Sequence, residues 1–334
     1  MAEHVSQLAR EIEEIESVFN LQKKYEWDKI KSIASLIRGR NPTHAITIAR
    51  GSSDHAALYL GLLITRLGGI PVASLTPSFS SIYRGQLKEN SSIAIAISQS
   101  GQSPDLAALL SAARDSKAFT LAILNDAHSP LSQIADFTID IHAAPERAVA
   151  ATKSVIASIT AGARLTAEWF NNDSLKSALD KGLEFLPREH VSEEKCEHLA
   201  RLSQCYVIGR GMTLPIAQEV ALKLKETCRI HAEAFSSAEV LHGPAALITE
   251  GFPIVALLPA DEARESMLST IKQLRVLGAK LIPFDNQDYT GINHPLLAPL
   301  VMLQDSYRHI EVAARLRGLD PDKPAHLSKV TLTV

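Results

Sequence analysis

Aromatic residues and long apolar runs are both scarce in this sequence of 334 residues. Phe, Trp and Tyr together make up 5% of it, whereas hydrophobic residues as a whole make up 46%. A core built of small aliphatic side chains favours helices packed closely on a parallel sheet over a β-sandwich. No apolar run approaches the ~20 residues that span a bilayer, so we expect no membrane partner.

Cysteine is also rare, with Cys196, Cys205 and Cys228 the only three. Their spacing matches no metal motif, and an odd number fits a reducing compartment. The first four residues are polar and lead into an acidic helical pattern, so we predict no signal peptide and a cytoplasmic location. The formal net charge of −3 argues against a nucleic-acid partner bound through bulk positive charge.

What the sequence does contain is a repeated alternation of strand and helix patterns. A helical pattern covers residues 3–40, and Asn41-Pro42 ends it. Apolar runs of strand type then alternate with turns and helices, which is typical of a parallel sheet covered by helices. The predicted elements are strand 45–49, helix 54–67, strand 93–97, helix 104–116 and strand 120–124.

The second half of the chain follows the same pattern. Strands predicted at 206–209, 254–258 and 281–285 match those of the first half with offsets of 160 or 161 residues. Two copies of one α/β domain explain this steady offset best. The polar stretch 187–195 is the predicted linker region between them.

A serine-rich loop, Ser98-Gln99-Ser100-Gly101-Gln102-Ser103, follows the strand at 93–97. That strand is apolar on both faces, which predicts a central position in the sheet. Ligands of open α/β sheets bind beyond the carboxyl ends of such strands. The hydroxyls of the loop and the free amides at the start of the next helix suit a phosphate group.

The details of this loop fit both an anion site and a simple helix start. Gly101 permits a turn with positive φ, Ser103 suits the N-cap, and Pro104 suits the first helical position. The simpler alternative is that serine only caps the helix and glycine only marks the turn. Ser52 and Ser53 lie at a similar strand-to-helix turn and are candidates for the same ligand.

The second copy lacks the serine loop. It has Pro259-Ala260-Asp261-Glu262 at the corresponding position, and an acidic loop repels phosphate. We therefore expect the anion on the first copy only.

An apolar helix predicted at 216–227 carries Glu219, Lys223 and Glu226 on one narrow stripe. Two interpretations are open. The stripe is either a ladder of ion pairs facing water, or it lines a cleft in which Lys223 holds an active carboxylate.

The segment after this helix is dense in ionisable residues. Glu and His together can perform acid–base chemistry near neutral pH. A metal site is the alternative for His231, Glu233, Glu239 and His242, but their spacing matches no metal motif such as HExxH. We predict neither a metal nor another cofactor.

These motifs together resemble the sugar isomerase (SIS) family, and within it the isomerase half of glucosamine-6-phosphate synthase. The resemblance rests on the serine loop and on residues 221–226, 231–234 and 241–244. The tail at 320–331 is similar too, although His326 stands where the synthase typically has asparagine.

The family implies an α/β fold of two tandem SIS domains, each a parallel sheet flanked by helices in three αβα layers, flavodoxin-like. The expected divisions are an N-terminal helical segment at 1–30, a first SIS domain with the phosphate-binding loop at 31–186, a second SIS domain with the catalytic Glu and His at 187–318, and a tail at 319–334 that closes the active site.

The resemblance also implies roles for individual residues. Glu226 would move a proton between C1 and C2, Lys223 would orient the substrate or Glu226, and His242 would open the sugar ring from the neighbouring subunit of a homodimer. Lys329 would close over the substrate, with a Schiff base as an open alternative. The sugar phosphate would be held by Ser52, Ser53, Ser98, Gln99, Ser100 and Ser103.

A comparison within the family selects the expected activity. The synthase has an N-terminal glutaminase domain with a nucleophilic cysteine directly after the initiator methionine, whereas residue 2 here is alanine. The expectation is therefore a deaminase of SIS type that converts glucosamine 6-phosphate into fructose 6-phosphate and ammonia. Galactosamine-6-phosphate deaminase and fructosamine-6-phosphate deglycase are the related alternatives.

A non-catalytic sugar-phosphate sensor is the alternative from a different class. Such regulators usually carry a basic helix-turn-helix domain in front, and residues 1–40 are too short and too acidic for one.

Overall fold

The structure is a computed structural model that describes residues 5–88, 91–183, 191–289 and 294–329. The chain groups into two compact units. The first consists of Glu14–Glu146 and Lys153–Gly182, and the second of residues 5–13, Arg147–Thr152 and Leu183–Lys329. The predicted divisions at residues 30, 186 and 318 are strictly sequential, whereas these units interleave along the chain.

The first unit alternates helices and strands. Its elements are α2 (Ile15–Tyr25), α3 (Trp27–Arg40), β1 (His44–Ile48), α4 (Ser52–Gly68), β2 (Val72–Ser74), α5 (Ser78–Ser81), β3 (Ser92–Ser98), α6 (Pro104–Asp115), β4 (Phe119–Leu124), α7 (Pro130–Ile134), β5 (Phe137–Asp140), α8 (Lys153–Trp169) and α9 (Asp173–Lys181).

Five described strands of this unit form a parallel sheet in the order β2-β1-β3-β4-β5. Every residue of β3 is buried, which confirms the central position predicted from its apolar sequence. Helix α6 packs on one face of the sheet and contributes Leu106, Leu109 and Leu110 to the core. Helix α8 is buried along its whole length, as expected of a helix whose every side meets protein.

The elements of the second unit are α1 (Gln7–Glu13), α10 (Glu193–Ala200), β6 (Gln204–Gly209), α11 (Leu214–Cys228), β7 (His231–Ser236), β8 (Pro253–Leu258), α12 (Ala263–Val276), β9 (Lys280–Asp285) and α13 (Ala298–Leu316). Its described strands form a parallel sheet in the order β7-β6-β8-β9. Met267, Ile271 and Leu274 of α12 pack against this sheet, and α13 packs on α11 and α10.

Helix α1 is fixed within the second unit by charged contacts. The Asp322 carboxylate accepts hydrogen bonds from the backbone N–H groups of Gln7 and Leu8, at 2.8 and 2.7 Å. These are two of the N–H groups that a helix start leaves without an internal partner. The Arg308 guanidinium of α13 donates to both carboxylate oxygens of Glu13, at 2.9 and 2.6 Å.

Several predicted elements need correction. The helical pattern at 3–40 is three helices rather than one, interrupted at Glu14 and Glu26, although it ends at Asn41 as expected. The ionisable segment begins with an edge strand, β7 (His231–Ser236), for which the sequence patterns predicted no element. The last residues of the predicted linker already belong to α10, and residues 184–190 lie outside the described residues, as do 1–4 and the end of the predicted tail, 330–334.

The sequence patterns did not predict the short strands β2 and β5. Both lie at edges of the first sheet, where side chains need not be apolar on both faces. Among the described residues, no helix is long and apolar enough to cross a membrane.

Candidate functional site

Two strand-to-helix turns of the first unit lie side by side. Strands β1 and β3 are parallel neighbours, with Ile48 opposite Ala96, so the turns that follow them leave the same edge of the sheet. The strand order reverses between these two strands, because β1 leads to β2 on one side and β3 leads to β4 on the other. Open α/β sheets bind their ligands at such a point.

The turn after β3 is the serine loop, and two of its hydroxyls hold its shape. Ser98 Oγ accepts a hydrogen bond from the Gly101 N–H at 3.1 Å, and Ser100 Oγ accepts one from the Gln102 N–H at 3.3 Å. Gly101 has φ of +64°, as predicted. A Cβ at this position would lie 2.1 Å from Ser129 Oγ, so only glycine fits the turn.

The start of α6 is where the sequence placed it, at Pro104, with Ser103 at the N-cap. In the described part of the chain, the Ser103 side chain makes no capping hydrogen bond. The simpler alternative, in which the Ser103 hydroxyl only caps the helix, is therefore not supported. Backbone N–H groups at a helix start can bind an anion, although Pro104 has no N–H and the Leu106 N–H donates to Asp105 Oδ1 at 2.8 Å.

The turn after β1 leads directly into α4. Gly51 has φ of +56°, and Ser52 is the first residue of the helix, with Ser53 beside it. One edge of the sheet thus carries the side chain of Gln99 and the hydroxyls of both turns, which belong to the end of β3, the serine loop and the start of α4: Ser52, Ser53, Ser98, Ser100 and Ser103.

An ion pair that the sequence analysis missed joins the two turns. Arg50 Nε donates to Asp105 Oδ2 at 2.6 Å, and Arg50 Nη2 lies 2.5 Å from the same oxygen. Asp105, in the first turn of α6, is fully buried, whereas the Arg50 side chain is 43% exposed. The only sequence signal was that Arg50-Gly51 recurs as Arg210-Gly211.

A second carboxylate lies at the start of α4. Burial raises the pKa of Asp54, and this effect is opposed by His55, by a hydrogen bond from Ser74 and by Arg50. The Ser74 hydroxyl lies 3.5 Å from Asp54 Oδ1, at the end of β2.

The ionisable stripe of α11, in the second unit, is buried. Glu219 and Lys223 have side-chain exposures of 1% and 2%, and Glu226 has 20%. Lys223 Nζ donates a hydrogen bond to Glu226 Oε2 and lies 3.4 Å from Glu219 Oε1. Tyr307 of α13 donates its hydroxyl to Glu219 Oε1 at 3.1 Å. The stripe is therefore not a water-facing ladder of ion pairs, because only Glu226 reaches the surface.

His242 and Lys329 do not belong to the stripe of α11. His242 ends a short 3₁₀-helix, Glu239–His242, and its side chain is exposed. Lys329 is half-buried and is the last described residue of the tail.

The comparisons with known proteins bear directly on this arrangement. A family model described as "SIS domain" matches residues 40–167 and 198–292, about two thirds of the chain. The chain belongs to the SIS domain family.

Relatives of this SIS protein include both enzymes and solved domains. The isomerizing glutamine–fructose-6-phosphate aminotransferase of Symbiobacterium thermophilum is 35% identical over 309 residues, which cover 84% of this chain and 50% of that protein. The chain thus spans about half the length of that relative.

Two crystal structures align along nearly the whole chain. A candidate phosphosugar isomerase from Silicibacter pomeroyi DSS-3 is 36% identical, with a TM-score of 0.88 over 95% of this chain and 100% of that one. The C-terminal domain of the Francisella tularensis glucosamine-fructose-6-phosphate aminotransferase is 26% identical, with a TM-score of 0.83 over 96% and 98%. The parallel α/β fold expected for an SIS protein is confirmed.

The cysteines of this SIS protein are inert. All three are buried, and burial raises the pKa of the Cys196 and Cys205 thiols to about 12 and that of Cys228 to about 11. Such thiols stay protonated at neutral pH and are poor nucleophiles. Within the described ranges, no group of three or more His, Cys, Asp or Glu side chains could hold a metal ion, and this includes His231, Glu233, Glu239 and His242.

Proposed function

We propose that this protein is a sugar-phosphate isomerase that deaminates glucosamine 6-phosphate to fructose 6-phosphate and ammonia. The observation that carries the proposal is the buried Glu219–Lys223–Glu226 array. The Glu226 carboxylate of this array is partly exposed, and the buried ammonium group of Lys223 holds it in place. A proton acceptor held in one position is what proton transfer at a sugar carbon requires.

The proposed chemistry is a proton shift followed by hydrolysis. Ring opening, assigned to His242, exposes the C1 aldehyde. Glu226 then removes the proton from C2, which gives an enolamine, and protonation at C1 leaves an imine at C2. Water adds to this imine, and the products are the C2 ketone and ammonia. We assign Lys223 to holding Glu226, and Lys329 to closing over the substrate.

The phosphate group is assigned to the serine loop and the turn before α4. Two helix starts and the hydroxyls of Ser52, Ser53, Ser98, Ser100 and Ser103 support this assignment. Backbone N–H groups and hydroxyls gathered at helix starts suit a phosphate. Two similar proteins are named as a fructose-6-phosphate aminotransferase and a phosphosugar isomerase. Both names refer to a sugar phosphate, which agrees with this assignment.

We also infer that the chain contains two copies of one SIS domain, flavodoxin-like in strand order. The order β7-β6-β8-β9 repeats β2-β1-β3-β4, and the family model matches two separate segments. The sequence of the second copy has an acidic loop, 259–262, in place of the serine loop.

The purified chain is expected to release ammonia and fructose 6-phosphate in equal amounts from glucosamine 6-phosphate without added metal. A coupled assay for both products measures this, with galactosamine 6-phosphate and fructosamine 6-phosphate as parallel substrates. Faster turnover of either parallel substrate would replace glucosamine as the assigned sugar. Binding of the sugar phosphates without any product would favour the sensor.

We further propose that His242 acts on the substrate bound by a second copy of the chain. The side chain is exposed, and so are Leu241 beside it and Leu247 just after it, at 36% and 65%. Apolar groups of this kind are typical of a surface that another chain covers.

Mixing two inactive variants tests this arrangement. Glu226→Gln and His242→Asn proteins are each expected to be inactive, and activity is expected to return when they are mixed and allowed to exchange subunits. In a mixed dimer, one of the two sites combines an intact Glu226 with an intact His242. Mixtures that stay inactive after exchange, verified by mass spectrometry of differently tagged subunits, would show that His242 acts within its own chain.

A further inference from the structure

The Arg50–Asp105 ion pair lies between the two turns to which the phosphate is assigned. Arg50 follows β1 and precedes Ser52, the first residue of α4. Asp105 is the second residue of α6, directly after the serine loop. One side-chain contact therefore connects the two helix starts that would bind the anion.

The geometry of the contact is that of an anchored cation. Asp105 is fully buried, and its other oxygen, Oδ1, accepts the Leu106 N–H at 2.8 Å. Arg50 uses Nε and Nη2 on Oδ2. A guanidinium group has five N–H donors in a rigid plane, so most of them remain for a ligand. The 43% exposure of the side chain leaves this free edge accessible.

The arginine at the corresponding position of the second copy has a different partner. Arg210 follows β6 as Arg50 follows β1, but it donates to the Ser236 hydroxyl at 3.2 Å, and no carboxylate among the described residues forms an ion pair with it. The residue that corresponds to Asp105 at the offset of 161 is Ser266. An arginine anchored by a carboxylate thus accompanies the serine loop, whereas its counterpart beside the acidic loop donates to a serine hydroxyl.

The geometry points to Arg50 as a further phosphate-positioning residue. Fixed by Asp105, it directs the remaining donors of its guanidinium group at the phosphate of the bound sugar. Planar donors that fit two oxygen atoms at once are the reason that arginine is favoured at phosphate sites. This inference rests on the proposed function, because it assumes that a sugar phosphate occupies these turns.

Calorimetric titration with fructose 6-phosphate tests the inference. Arg50→Gln is expected to raise the Kd by about 10- to 100-fold, the loss typical of one hydrogen bond to a charged group. The kcat at saturating glucosamine 6-phosphate is expected to fall less than about threefold, because binding energy used equally in ground and transition states affects KM alone. Arg114→Gln is the matched control, since Arg114 is an exposed arginine near the other end of α6.

A double variant covers the case in which Arg50→Gln alone leaves Asp105 buried and uncompensated. Arg50→Gln/Asp105→Asn removes both charges, so the net charge of the turns stays that of the wild type. The same 10- to 100-fold loss is expected. Wild-type affinity in a folded double variant would overturn the role of Arg50. A wild-type protein that binds fructose 6-phosphate no better than fructose would overturn this inference together with the proposed function.

Discussion

Replacing Glu226 by glutamine is expected to lower kcat by about 10²- to 10⁴-fold, the usual contribution of a positioned acid or base. The amide keeps the size of the side chain, and its oxygen can still accept the hydrogen bond from Lys223. It cannot take up a proton from C2. The substrate affinity is therefore expected to stay within a few-fold of the wild type, which titration with the sugar phosphate measures alongside steady-state kinetics.

The control for this experiment is Glu265→Gln, which makes the same change at an exposed position of α12. It is expected to leave both kcat and affinity unchanged. Turnover by Glu226→Gln at the rate of the control would remove Glu226 from the role of base. A parallel loss of affinity and turnover would instead indicate that the carboxylate binds the substrate.

Replacing Lys223 by methionine is expected to lower the free energy of unfolding by about 3–5 kcal/mol, the cost of removing one partner of a buried ion pair. Methionine is similar in length, but it leaves Glu219 buried without the ammonium group that lies 3.4 Å away. The difference is measured by urea unfolding followed by circular dichroism. Lys225→Met, on the exposed side of the same helix, is expected to change stability by no more than about 0.5 kcal/mol.

A second variant separates charge from packing at this position. In Lys223→Met/Glu219→Gln the buried carboxylate is also neutralised, so part of the lost stability is expected to return. A double variant less stable than Lys223→Met would show that the defect arises from packing rather than from an unpaired charge.

The elements that the sequence predicted well are those whose surroundings are uniform. Strand β3 is buried on every side, so its run of Ile and Ala is unambiguous, and the glycine and proline at positions 101 and 104 fix the turn and the helix start after it. Edge strands carry no such signal. Strand β7 contains His231 and Glu233, both exposed, and therefore resembles a polar connection.

The site residues also differ in how much of their environment the sequence can predict. Periodicity places Glu219, Lys223 and Glu226 on one stripe, but it cannot say whether that stripe faces water or the interior, because this depends on α13 and on Tyr307, far away in the sequence. Arg50 and Asp105 are 55 residues apart, and only the pairing of β1 with β3 brings them together. Pairings across such distances have no local signature.

The way in which α1 is held decides how the protein can be dissected. Because Asp322 and Arg308 bind the first helix of the chain, the second unit consists of both the beginning and the later part of the sequence. A single cut near residue 186 would leave Leu8 and Ile12, both buried, on the fragment that lacks their partners. Cutting the gene in two therefore cannot yield two intact units. A circular permutant can begin at Leu183 and continue from residue 329 into residues 5–13. It would keep the longest segments of the second unit contiguous.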